Sequence, residues 1–262
     1  MGRQPAKINV VIPMAGLGSR FLKAGYSVPK PFLDLAGEPM IQRVVENLDI
    51  PGANYIMVVR SEHMGKYRAA LEKAMGGRSH QIVEIGALTE GAACTVLHAH
   101  RLVDNGTPLL IANSDQIVDM DINDYISDCS SRGLDGSILT FIDSKRDPKW
   151  SFARLDESGL VAEVREKVPI SEYATVGIYL FSRGSDFVGH ALDMIVRNER
   201  VNNEFYVCPV YNHLIARGLK VGIFNISESQ MHGTGTPEDL GAYARLIGAA
   251  KPHAGGSRRV LP

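Results

Sequence analysis

Along this chain the spacing of apolar residues switches back and forth between a period of two and a period near 3.6, which predicts strands and helices in alternation. The β-branched run Ile8 to Ile12 predicts a strand, Pro13 to Arg20 a glycine-containing loop, and Met40 to Leu48 a helix. The alternation repeats with strands at Tyr55 to Val59, Gln81 to Ile85 and Leu109 to Ala112, and helices at Glu62 to Met75 and Gly91 to Val103. Repeated βα units imply a mostly parallel sheet flanked by helices, an α/β fold. After a helix at Asp121 to Arg132 the pattern changes. Strand-like runs crowd together at Gly136 to Ile142, Phe152 to Leu155, Leu160 to Arg165 and Ala174 to Phe181 before a helix near Ser185 to Asn198, so antiparallel strands are expected in the second half. Ligands of parallel sheets bind beyond the carboxyl ends of the strands, which puts the loops after Ile12, Ile85 and Ala112 on one rim.

Composition narrows this reading. The chain has 262 residues, 45% of them hydrophobic, enough to bury a full core, and one domain is expected over residues 8–250. Residues 251–262, with Gly255-Gly256-Ser257 and Arg258-Arg259, read as a disordered tail. A formal net charge of -1 gives no long-range field for gathering nucleic acid or an anionic membrane, so an anionic ligand must be held by a few local cations. Cys94, Cys129 and Cys208 are far apart and lack CxxC spacing, which fits small buried side chains in a reducing compartment. Met1 to Lys7 lacks the apolar stretch of a signal peptide, and no apolar run reaches the roughly 18 residues of a membrane span. A cytoplasmic protein is expected.

The first loop carries the clearest chemistry. Pro13-Met14-Ala15-Gly16-Leu17-Gly18-Ser19-Arg20 follows a strand directly, and its small residues let backbone N–H groups approach phosphate oxygens. Phe21 stands where a dinucleotide loop has its third glycine, and no Gly-Lys-Ser/Thr closes a P-loop. What the loop has instead is Arg20, followed by Lys30 inside the stiff Pro29-Lys30-Pro31. Two such cations could clamp a triphosphate and offset charge on departing pyrophosphate, although each alone also fits a solvated surface residue. Asp115, closing the strand Leu109 to Ala112, is the natural Mg2+ ligand on the same rim. Its alternative is a cap on the following turn.

Met14 to Phe21, Pro29-Lys30-Pro31-Phe32 and Gly37-Glu38-Pro39-Met40-Ile41 together resemble the signature of the sugar-1-phosphate nucleotidyltransferases, and the resemblance runs from about Ile8 to Leu246. It implies a Rossmann-like fold, Arg20 and Lys30 as the main catalytic cations, and Asp115 as the metal ligand. Met14, Ala15, Gly16, Gly18 and Ser19, with Thr89, Glu90 and Gly91 from the loop Leu88 to Ala92, are the implied nucleotide contacts. Glu166-Lys167 resembles the family's Glu-Lys-Pro block, making Lys167 the holder of the acceptor phosphate, and Glu204 in Asn203-Glu204-Phe205-Tyr206 a second acceptor contact. The loop's Pro-Met-Ala-Gly in place of the commoner Leu-Ala-Ala-Gly suggests a branch serving capsule and surface polymers, which includes some cytidylyltransferases.

Two departures bear on the acceptor and the metal. The family's late Trp-x-Asp-Thr-Gly-Thr reads Met231-His232-Gly233-Thr234-Gly235-Thr236 here, so Gly233 replaces an aspartate that often completes the metal site. His232, Glu204 or water could take its place. Beyond Glu204 the family pattern is altered to Val207-Cys208-Pro209, so the acceptor need not be an ordinary hexose. Plainer readings hold elsewhere: Thr236 caps a helix beginning at Pro237, Asp119 and Asp121 cap the helix after them, and Trp150 covers the edge of the core or stacks on an acceptor.

The expected activity is Mg2+-dependent transfer of NMP from an NTP to a small phosphorylated or phosphonate acceptor, with release of pyrophosphate. CTP is expected ahead of UTP or dTTP, partly because the Pro-Met-Ala-Gly loop resembles a branch that includes cytidylyltransferases, and partly because Glu90 or a nearby carbonyl could accept from a cytosine amino group. The sequence is also compatible with a homo-oligomer. A hexose-1-phosphate uridylyl- or thymidylyltransferase is the nearest alternative, and a non-catalytic nucleotide-sugar-binding relative is one of another class. A dinucleotide oxidoreductase fits less well, since Val59-Arg60-Ser61 offers no acidic ribose ligand.

Overall fold

A computed structural model describes residues 7–250, so the tail expected at 251–262 lies outside the described residues. The chain runs β1 (Ile8–Pro13), α1 (Ser19–Lys23), the short hairpin β2 (Asp34–Leu35) and β3 (Glu38–Pro39), α2 (Met40–Asn47), β4 (Ala53–Arg60), α3 (Ser61–Met75) and β5 (His80–Ile85). It continues through α4 (Ala92–Leu97), α5 (His100–Val103), β6 (Leu109–Ala112), β7 (Gln116–Val118), α6 (Ile122–Ser131), β8 (Gly136–Ile142), β9 (Ser151–Leu155), β10 (Val161–Glu166) and β11 (Tyr173–Phe181). Last come α7 (Gly184–Val196), α8 (Val210–Ala216), β12 (Val221–Ile226), β13 (Met231–Gly233) and α9 (Pro237–Ala250).

Among the described residues nine strands form one sheet, in the order β10-β9-β11-β6-β1-β4-β5, with β8 pairing β11 and β12 pairing β8. β6, β1, β4 and β5 are mutually parallel. β11 runs antiparallel to β6 and β8, and β9 with β10 adds an antiparallel arm, as the crowded strand signals of the second half implied. The pleat sends alternate residues to opposite faces. Val10 and Ile12 of β1 therefore join a core with α2, α3 and α6, while Val11 joins a second core with α4, α7 and α8. Burying each such aliphatic side chain contributes roughly 1.5–3 kcal/mol, so the βα alternation dictates both layers.

Three details differ from the sequence expectation. The helix expected over 91–103 is broken at Ala99 into α4 and α5. α1 forms inside the segment between the glycine loop and α2, where no helix was expected. β12 and α8 had no expected counterpart; β12 adds parallel to β8 at the sheet's edge. Asp121 does cap α6, accepting from Asn123 N–H at 2.9 Å, whereas Asp119 is engaged elsewhere. Thr236 caps α9 by accepting from Asp239 N–H at 3.1 Å. Among the described residues no helix is long and apolar enough to cross a membrane.

Candidate functional site

Because β1, β5 and β6 are parallel, the loops after Pro13, Ile85 and Ala112 all leave from the same end of the sheet. Being antiparallel, β11 brings its first half to that end: Ile178 lies opposite Ala112, and Asn113 N–H donates to Gly177 C=O at 3.0 Å. Two adjoining cavities open there, sharing Ala92 and Glu204 as a common wall.

The smaller cavity, about 250 Å³, is lined by Pro13, Ala15, Gly16, Leu17 and Ser19 on one side and by Leu88, Thr89, Gly91 and Ala92 on the other. Among the described residues, the N–H groups of Ala15, Gly16 and Leu17 donate to no backbone carbonyl. Met14 is buried behind the loop, its N–H tied to Val58 C=O at 2.9 Å. Gly18, left-handed at φ 62, turns the chain into α1. The opposite loop is fixed by a hydrogen bond between the Thr89 and Thr95 hydroxyls at 2.5 Å.

Glu90 behaves differently from its neighbours. Its carboxylate forms an ion pair with Arg200 at 2.9 Å, its carbonyl accepts from Phe205 N–H at 2.7 Å, and it is not among the residues lining the cavity. The expected recognition of a cytosine amino group by this side chain therefore finds no support in the geometry: the carboxylate already has a cationic partner.

The larger cavity, about 440 Å³, collects the charged residues. Arg20, Lys30, Asp115, Lys149, Glu166, Lys167 and Glu204 all line it, from six separate segments of the chain. Its volume is in the range of small-molecule sites, and its cations are the local ones that a near-neutral chain needs for an anionic ligand. Lys30 Nζ donates to Asp115 Oδ2 at 2.5 Å, with both side chains mostly buried. Lys167 follows the end of β10 at φ 57, a left-handed conformation uncommon outside glycine, and donates to the Tyr206 hydroxyl. Burial and then the Glu204 carboxylate beside it push the Tyr206 phenol well above its ordinary range, so it stays protonated. Glu166, buried against the Ser151 hydroxyl, is also pushed up, by burial first.

Sequence reasoning missed several of these residues. Gln116 lines the cavity floor while buried, and its Oε1 has no protein partner. Tyr206 and Glu166 adjoin residues already singled out, and adjacency to Glu204 and Lys167 was the available signal. Trp150 covers the edge of the core, its ring packing edge-on against Phe141 with centroids 5.4 Å apart, and it also lines the cavity.

The metal question turns on Asp115. Among the described residues there is no group of three or more His, Cys, Asp or Glu side chains placed to hold an ion. His232 is turned toward Asp119, Nε2 to Oδ2 at 2.7 Å, and stacks near Tyr243. Glu204 lines both cavities. Asp115 lies in a cavity of small-molecule size with Glu166 and Glu204 also on its wall, and these residues fit Mg2+, which commonly takes one or two protein carboxylates and completes its shell with water and phosphate.

Comparison with known proteins gives the family and the fold. The family model described as "Nucleotidyl transferase" matches residues 9–206. Mannose-1-phosphate guanylyltransferase catalytic subunit beta of Dictyostelium discoideum is 26% identical over 183 residues, covering 67% of this chain and 50% of that protein. The low-salt glycan biosynthesis nucleotidyltransferase of Haloferax volcanii is 24% identical over 90% of this chain and 65% of its own length. This chain spans about half the length of the first curated relatives it matches. Among solved structures, the nucleoside-diphosphate-sugar pyrophosphorylase of Vibrio cholerae superposes with a TM-score of 0.76 at 28% identity, covering 90% of this chain and 99% of that one. The inositol-1-phosphate CTP transferase of T. maritima shares the fold, with a TM-score of 0.70 at 16% identity over 98% of this chain and 100% of that one.

Proposed function

This chain belongs to the nucleotidyl transferase family, and from that premise we propose that it transfers the NMP part of an NTP to a small phosphorylated or phosphonate acceptor, releasing pyrophosphate. The observation that carries the reading is the meeting of Arg20, Lys30, Asp115 and Lys167 in one cavity beside a glycine loop with free N–H groups.

In this mechanism an acceptor phosphate oxygen attacks the α-phosphorus in line, and the bond to the pyrophosphate oxygen breaks with both electrons leaving on pyrophosphate. Catalysis is positioning and charge stabilisation. The smaller cavity takes the nucleoside, with backbone of the 88–92 loop reading the base, and the loop N–H groups hold phosphate. Arg20 and Lys30 offset charge as it moves onto pyrophosphate. Asp115 would hold Mg2+, which supplies further neutralisation of phosphate oxygens when bound. Lys167, kept in place by Tyr206, orients the acceptor's phosphate against a donor of like charge. Precursor synthesis for capsule or surface polymers is the role this reading assigns.

CTP is placed first among donors on the strength of the Pro13-Met14-Ala15-Gly16 loop, since Glu90 is committed to Arg200. The deciding experiment is pyrophosphate release with CTP, UTP, dTTP, GTP and ATP against inositol 1-phosphate, mannose 1-phosphate, glucose 1-phosphate and a simple alkylphosphonate. Turnover with CTP above the other donors is expected. Preference for GTP with mannose 1-phosphate rejects the substrate choice and keeps the reaction class; no release with any pair refutes the class.

Lys167→Ala is expected to raise KM for the acceptor about tenfold or more, the usual worth of one charge-assisted hydrogen bond, while KM for the NTP changes far less. Steady-state kinetics with each substrate varied in turn checks this. Equal changes in both constants would remove Lys167 from the acceptor side.

A further inference from the structure

The late segment Met231 to Thr236, lying beyond the stretch matched by the family model, closes on Asp115 from a distance in sequence. β13 pairs antiparallel with β7, setting Gly233 opposite Gln116. One residue on, fully buried Thr234 gives two donors to the Asp115 carbonyl: its N–H at 2.8 Å and its hydroxyl at 3.1 Å. Next comes Gly235, and here the approach is tight. A Cβ at this position would lie 2.9 Å from Asp115 Oδ2, closer than side-chain carbons come, and 4.0 Å from Arg20 Nη1. A Cβ at Gly233 would instead meet the Gln116 amide at 3.8 and 3.9 Å, which is ordinary contact. Neither glycine is at positive φ, so alanine is compatible with the backbone at both.

We infer that Gly235 and Thr234 are positioning residues for Asp115: Thr234 clamps its backbone, and the missing side chain of Gly235 lets the segment press against the carboxylate that also meets Lys30. This rests on the reading of Asp115 as the acid of the site. The same Oδ2 that Gly235 crowds is the one bonded to Lys30, so a displaced carboxylate changes the Lys30 contact and the metal ligand together. Displacements near 1 Å in such constellations cost up to about 10²-fold in rate.

Gly235 and Gly241 make a matched test, because each substitution adds one methyl group and only that at 235 meets Asp115. In the full chain, Gly235→Ala is expected to lower kcat for pyrophosphate release tenfold or more, with KM values changed less. It should weaken Mn2+ binding, measured by calorimetry without substrate, by a comparable factor. Gly241→Ala, on α9 where the added methyl group meets only Arg245 Nη1 at 3.5 Å, is expected to stay within about twofold of wild type in both readouts. Should Gly235→Ala fold poorly, Thr234→Val, which deletes only the hydroxyl donor, is expected to lose kcat several-fold, and Thr234→Ser to restore it. Wild-type kcat and Mn2+ affinity in Gly235→Ala, equal losses in the 241 and 235 variants, or no rescue by serine would overturn the inference. If the wild-type chain binds Mn2+ but releases no pyrophosphate, the functional reading fails and the Mn2+ comparison alone decides the positioning role. If it does neither, both fail.

Discussion

Arg20→Ala and Lys30→Ala are each expected to lower kcat by about 10²-fold or more, the loss typical of removing a group that stabilises charge only in the transition state. The two cations reach the same cavity from different supports. Arg20 is an exposed side chain on the five-residue helix α1, whereas Lys30 lies between two prolines and is mostly buried against Asp115. Their variants should therefore differ in one respect. If Asp115 holds a divalent ion, Lys30 competes with that ion, so Lys30→Ala should raise Mn2+ affinity while it lowers kcat, and Arg20→Ala should lower kcat with Mn2+ affinity little changed. Pyrophosphate release and Mn2+ titration on each variant measure both effects. Unchanged kcat in both would take the cations out of the chemistry.

The second large effect is structural. Gly91 has φ 119 and ψ 172, a region open essentially to glycine alone, and a Cβ there would lie 2.4 Å from the Phe205 carbonyl oxygen and 2.6 Å from its nitrogen. That backbone cannot move away freely, because Phe205 N–H donates to Glu90 C=O at 2.7 Å and Ala93 N–H to Phe205 C=O at 3.0 Å. Gly91→Ala is expected to lower Tm by about 6–12 °C, the response of a chain of this size to about 3 kcal/mol of strain and displaced backbone. It should also raise KM for the NTP, since Gly91 and Ala92 line the smaller cavity. Gly86→Ala, where a methyl group meets open space in the same loop, serves as the control and should leave Tm nearly unchanged. A Gly91→Ala protein melting with wild type would mean that the 90–93 and 204–206 segments are not locked together.

Local sequence determined the parts of this protein that local physics controls. The alternation of periods identified β1, β4, β5, β6 and the antiparallel run β8 to β11, because a buried strand must be apolar wherever it sits in the sheet. That the glycine loop, Arg20, Lys30 and Asp115 come together was legible for a related reason: each is specified by a few consecutive residues, and parallel topology puts the strand ends on one rim. Tertiary structure decided what depends on neighbours. Periodicity reports that a face is buried but not by what, so it did not reveal that Phe205 packs on Gly91 or that Arg200 takes the Glu90 carboxylate. Nor did it show that β13 pairs with β7 and brings Thr234 to the carbonyl of Asp115, 119 positions away. In sequence, Gly235 reads as a turn before a capped helix. Only the fold sets it against a carboxylate with no space for a methyl group, because close approach is a property of two segments and neither encodes it alone.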